Sequence, residues 1–159
     1  MKTLPLISSV LLASLLAACG GGGDDPDPTS LNSAFTITSA TDPSLNGAYG
    51  STNTPLSGVN KLERIGATDS CSFTFENIPR LAGGAVAKGS VEYLVDSTTV
   101  RRLVLELGGS IYETTTVGTS TVSRTNNNVS FAGSVLSAGT PTVTLSGTLP
   151  MRSDRPSGC

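Results

Sequence analysis

From residue 31 to residue 159 the chain predicts an all-β fold, a single antiparallel β-sandwich or small β-barrel that ends in a C-terminal meander. Three observations carry this expectation. Apolar residues recur with period two and almost nowhere with helical spacing. Clusters of Gly, Asn and Pro punctuate the alternation at turn positions. The positions between the apolar ones are rich in Thr and Ser, which suit the wet face of an antiparallel sheet. About 130 residues suffice for one core and would be cramped as two domains.

The elements follow in order. Phe35 and Ile37 mark a first strand, Pro43-Ser44-Leu45-Asn46-Gly47 a turn, and Val59–Ile65 either a strand or a single helical turn. Cys71, Phe73 and Phe75 share one face against Ser72, Thr74 and Glu76. Leu103, Leu105 and Leu107 likewise oppose Arg102, Val104 and Glu106. Gly108-Gly109 between Arg101–Leu107 and Ser110–Val117 supplies the positive φ angles of a two-residue hairpin. Across Gly118 the apolar parity changes, from Ile111 and Val117 to Val122, so a bulge there keeps one long strand in register, with a tight turn as the alternative. Val129, Phe131 and Val135 are expected to point one way, as are Val143, Leu145 and Leu149, with Thr142, Thr144, Ser146 and Thr148 outward. Asp96–Thr99, Asn126–Asn128 and Ser137–Pro141 serve as the remaining turns, and five consecutive up-and-down strands result.

Ahead of this domain, an apolar run from Leu4 to Leu15 follows Lys2 and ends in Leu16-Ala17-Ala18-Cys19, with Gly20–Gly23 and Asp24-Asp25-Pro26-Asp27-Pro28 behind it. The run is shorter than the ~20 residues that span a bilayer and is broken by Ser8, Ser9 and Ser14. This leader resembles the signal peptide and lipobox of bacterial lipoproteins. The resemblance covers only the leader and tether. It implies that residues 1–18 are removed, that Cys19 is acylated, and that residues 19–30 form a flexible tether. An ordinary secretory peptide with a neighbouring cysteine is the alternative. Aspartate after the lipidated cysteine commonly retains such proteins in the inner membrane, and Gly20 in that place favours the outer membrane.

Export implies an oxidising compartment, and acylation of Cys19 leaves two thiols, Cys71 and Cys159, which are expected to form a disulfide; reduced thiols or an intermolecular link are the alternatives. Without Lys2, nine basic residues face twelve acidic ones, three of them in the tether. A nearly neutral domain lacks the basic stripe of a nucleic-acid binder, and Arg101-Arg102 reads as a solvated strand end. An anionic membrane surface also finds no basic cluster.

Catalytic chemistry has little to draw on. The chain contains no histidine, so the usual near-neutral base, metal ligand and triad partner are missing. Glu92, Glu106 and Glu113 fall on adjacent strands, and paired carboxylates can run acid/base chemistry. Their parities differ: Glu92 and Glu106 read as outward, whereas Glu113 shares the parity of Ile111 and fits an edge or rim position. Asp24, Asp25 and Asp27 lack the loop and distal glutamate of a calcium site, and no cofactor or metal motif is found. Asn128-Val129-Ser130 matches a glycosylation sequon, which is expected to carry no such meaning in a bacterial lipoprotein, and the triple asparagine reads as a turn.

Without tryptophan, and with four Phe mostly at core parity, the chain offers few aromatic platforms. Tyr112, opposite in parity to Ile111, is the one aromatic expected on a binding surface, although a lone strand tyrosine also fits cross-strand packing. The expected function is a noncatalytic envelope lipoprotein, attached to the membrane through its N-terminal acyl chains, whose β domain binds an envelope protein, scaffolds or inhibits. A lipocalin-like carrier of a small apolar ligand is the second reading, and a carboxylate-dependent hydrolase the third. Periplasmic lysozyme inhibitors share lipidation and disulfide-tied β architecture, but their functional loop has no match here, so that likeness is architectural.

Overall fold

A computed structural model describes residues 33–114 and 120–159. The leader, Cys19, the tether and Gly118 lie outside the described residues. Alternating apolar residues build β1 (Ser33–Ala40), β2 (Gly47–Ser51), β3 (Asn60–Leu62), β4 (Ser70–Pro79), β5 (Val86–Leu94), β6 (Val100–Leu107), β7 (Ser110–Thr114), β8 (Thr121–Ser123), β9 (Asn128–Ser137) and β10 (Thr142–Pro150). The expected turn at Pro43 is a 3-10 turn, Pro43–Leu45, whose first N–H groups need a cap. Asp42 supplies it by accepting from the Ser44 N–H at 2.9 Å, and hydrogen bonding from the Ser44 side chain, followed by that from its N–H, holds the Asp42 carboxyl below the ordinary carboxylate value.

All ten strands join one antiparallel sheet in the order β2-β1-β10-β9-β7-β6-β5-β4-β3, with β8 paired to β9 beside that path. The fold is all-β, and the five-strand meander is present as β5, β6, β7, β9 and β10. Among the described residues no continuous ladder closes the sheet, which fits a sandwich-like arrangement. Its edges nevertheless touch: Tyr49 of β2 bridges Arg80 beyond β4, and the Leu81 N–H donates to Ala48 O at 2.9 Å. Residues 55–57 cover part of β4, through a Leu56–Phe75 bridge and a bond from the Glu76 N–H to Pro55 O at 3.0 Å. Edge groups that would otherwise template aggregation are thereby satisfied. The ambiguous Val59–Ile65 stretch contains the three-residue edge strand β3.

The sheet wraps one core of Phe, Leu, Ile, Val and Tyr side chains contributed by β1, β2 and β4–β10. Phe35 and Tyr49 stack within it at 5.3 Å between ring centroids. Cys71, Phe73, Phe75, Leu103, Leu105, Leu107, Val143, Leu145 and Leu149 are all buried, as their parity predicts.

Three parity expectations are corrected. Val135 is 56% exposed while Leu136 is buried, because Gly133, at φ +77°, is the extra residue opposite the Leu145/Ser146 step and turns the later half of β9 over. Ile111 is 60% exposed and Tyr112 only 3%. The cause is the Gly108-Gly109 hairpin, both glycines at positive φ, which pairs Leu107 with Ser110 and so places Tyr112 opposite the inward Leu105. Glu113 consequently lies outward, opposite Val104. β7 and β8 share no ladder with each other among the described residues. Both run antiparallel to β9, and Thr121 also bridges Thr99 just ahead of β6, so they occupy one lane of the sheet.

The tail after β10 has no ladder and is fixed by other means. Cys159 is disulfide-bonded to Cys71 with the Cα atoms 5.7 Å apart, as expected. Tyr93 OH donates to Cys159 O at 2.9 Å, and burial pushes its phenol above the usual tyrosine value. Arg124 stands over the Tyr93 ring, 5.6 Å from its centroid. Its guanidinium donates to Ser97 O at 2.6 Å, Gly158 O at 2.9 Å, Cys159 O at 3.0 Å and Leu94 O at 3.1 Å. Arg155 donates to Arg124 O, Arg152 O and Asn127 Oδ1, each at 2.7 Å.

Candidate functional site

The polar side chains of β3–β7 collect on the outer face of the sheet, where strand pleating sends every second residue. There the three glutamates singled out in the sequence are brought onto one face, and each has its own cation. Glu92, whose side chain is only 15% exposed, is held by Arg64 and by Arg101 at 3.4 Å. Glu106 pairs with Lys88 at 3.1 Å, and Glu113 with Arg102, whose Nε donates to it at 3.1 Å. Arg64 is itself positioned by Ser70, which accepts from its Nε at 3.2 Å, while Asp69 accepts from its backbone N–H at 3.1 Å.

The Arg101-Arg102 pair is therefore more than a strand end. A register shift between Glu92 and Tyr93 pairs Glu92 with Arg102 and Tyr93 with Val100, leaving Arg101 as the bulged residue. The bulge exposes both arginines, where each meets a different carboxylate. The adjacent basic doublet was the sequence signal for this feature. Arg64 had none, because its partner is a strand and a loop away.

Two grooves open on this face. One, of about 230 Å³, is lined chiefly by Ser57, Asn60, Ser72, Ser90, Glu92 and Arg102. The second, of about 260 Å³, lies beside it between Thr74, Glu76, Lys88, Val104, Glu106 and Ile111. Thr74 and Ser90 line both, so the grooves adjoin. Hydroxyls, an amide and fixed opposite charges line this surface, which can offer hydrogen bonds and charge complementarity to a polar partner. A third groove, of about 360 Å³, is more apolar and runs over β1 and β2 between Ala34, Ala48, Gly50, Gly147 and Leu81.

The remaining sequence candidates fall elsewhere. Tyr112 is a core residue and cannot serve as an exposed binding aromatic. All four Phe and all three Tyr of the chain are buried, so no aromatic platform faces solvent. Cys71 and Cys159 are committed to their bridge. Cys19 and the tether aspartates are outside the described residues. Among the described residues no group of three His, Cys, Asp or Glu side chains is placed to hold a metal ion, and no helix is long and apolar enough to cross a membrane. No protein-family model, curated protein or solved structure matches this chain.

Proposed function

We propose that the chain is a noncatalytic lipoprotein of the bacterial envelope, anchored through acylated Cys19 with the outer membrane favoured, whose β domain works by binding an envelope partner. The observation that carries this reading is the pair of adjoining polar grooves on the outer face of β3–β7, with their charges held in place by neighbouring side chains. A hydrolase gains little support from Glu92, Glu106 and Glu113, since each is engaged by its own cation instead of sharing a site with a second carboxylate. A carrier gains little as well. The interior is occupied by large side chains under 2% exposed, among them Tyr49, Tyr93, Phe73 and Leu105, while the three grooves are open to solvent.

Affinity purification of the native protein from its envelope tests the reading. Ser72→Arg combined with Ser90→Arg fills the first groove from half-buried positions. It should abolish capture of the partner while thermal unfolding stays unchanged. Capture that survives this filling removes the face from the proposal. Turnover of a defined envelope substrate that is lost in Glu92→Gln replaces binding with catalysis. Mass spectrometry of the mature N-terminus decides the anchor separately: an unmodified Cys19 defeats it.

A further inference from the structure

We propose that the tip of the β4–β5 hairpin, residues 80–86, is a membrane-contact element that rests in the interface of the bilayer to which Cys19 ties the chain. This inference rests on the anchored reading above.

Hairpin tips normally carry polar turn residues, because they project into water. This one reads Arg80-Leu81-Ala82-Gly83-Gly84-Ala85-Val86. Leu81 is 70% and Val86 50% exposed, and Ala82, Gly83 and Gly84 are exposed between them. No acidic residue occurs between Glu76 and Glu92. The other strongly exposed apolar side chains differ in setting: Ile65 follows Glu63 and Arg64, Ile111 pairs across the sheet with Glu106, and Val135 stands alone on the polar face of β9 opposite Thr144. At the tip the only charge is Arg80, which donates to Asn46 O at 3.0 Å and has no carboxylate partner among the described residues. Lys88, on the β5 side, pairs with Glu106. An apolar tip next to an unneutralised cation suits the boundary between acyl chains and anionic headgroups.

The place where the anchoring segment joins the domain supplies the second argument. A side chain added at Gly50 would put its Cβ 3.1 Å from Ser33 O and 3.6 Å from Leu81 Cδ2, so these two atoms are neighbours. Ser33 is the first described residue, and Leu81 lies beside it along the apolar groove. Thirteen residues separate Cys19 from Ser33, a span of at most about 50 Å even when fully extended. The surface around Ser33 is thus confined near the bilayer at high effective concentration. These surroundings are also nearly free of charge, since residues 43–60 contain no Asp, Glu, Lys or Arg.

The absence of tryptophan from the chain makes the test direct. Leu81→Trp and Ala82→Trp each introduce a single indole at the tip, and Thr98→Trp places one in the turn at the opposite end of β5. Each protein is isolated from envelopes and reconstituted into vesicles of phosphatidylethanolamine with a minority of phosphatidylglycerol, with or without brominated acyl chains. Both tip indoles should lose emission roughly twofold or more on brominated vesicles, as an interfacial position requires, with Thr98→Trp unchanged. Equal quenching at the tip and at Thr98, or none at the tip of an anchored protein, overturns the proposal. So does tip shielding that depends on protein density and not on bromine, which assigns the tip to a second copy. If mass spectrometry finds Cys19 free, the anchor reading fails, and the same chains coupled through that thiol to maleimide lipid still report whether the tip meets the bilayer.

Discussion

Two irregular segments, the tail after β10 and the β4–β5 tip, solve the problem of backbone without a ladder in opposite ways. The tail is pinned by a disulfide and by guanidinium groups that reach main-chain oxygens. The tip is held to β2 by main-chain contacts at Arg80 and Leu81, and leaves its apolar side chains outside. The difference teaches that exposure of Leu81 is no failure of packing. The same chain buries Met151 and Cys159 in an equally irregular stretch.

If that contrast is right, the tail should be energetically expensive to disturb and the tip almost free. The largest loss is expected for Cys71→Ser with Cys159→Ser: the bridge closes a loop across a separation of 88 residues, for which chain entropy gives about 4–5 kcal/mol. Denaturant unfolding of the two forms measures it. Arg124→Ala should follow at about 3 kcal/mol, because several main-chain oxygens lose a charged donor; Arg124→Lys should recover little, since one ammonium cannot reproduce the planar fork.

Tyr93→Phe should cost about 1 kcal/mol at neutral pH, the worth of its bond to Cys159 O. It also has a pH signature. Burial raises the Tyr93 phenol in the folded protein, so the folded state keeps its proton where the unfolded chain has lost it. Stability from this group is therefore full below the unfolded value near 10 and falls as pH rises through the higher folded value. Tyr49, raised by the same cause, adds to the fall, and Tyr93→Phe should make the alkaline decline shallower in pH-dependent unfolding. The smallest effect is expected for Leu81→Ser, within about 0.5 kcal/mol. A loss comparable to that of Arg124→Ala would mean that the tip is structural and would erase the contrast.

Much of the sheet was legible in the sequence because alternation and turn chemistry act locally. Cys71-Phe73-Phe75, Leu103-Leu105-Leu107 and Val143-Leu145-Leu149 needed nothing beyond period two. Val135 was misread because a bulge inserts one residue and reverses parity, and its location depends on the partner strand. Tyr112 was a different matter: a two-residue turn at Gly108-Gly109 already implies that it opposes Leu105, so register reasoning alone would have buried it. The disulfide was readable from the cysteine count. The charge pairs around Glu92 were not, since Arg64 reaches it from a loop distant in sequence and alternation carries no information about such contacts.

The pairing of Ala34 with Thr148 in the β1–β10 ladder sets an order of assembly. The strands from β4 onward can form by successive neighbouring hairpins, whereas β1 and β2 must wait for a partner made at the far end of the chain, at the cost of closing a very long loop. During synthesis the first hairpin is consequently the last to dock, and the apolar side of Phe35, Ile37 and Tyr49 stays uncovered meanwhile. A holding chaperone would find its strongest ligand there, and slow refolding phases should be reported by the burial of Tyr49 after the meander has formed.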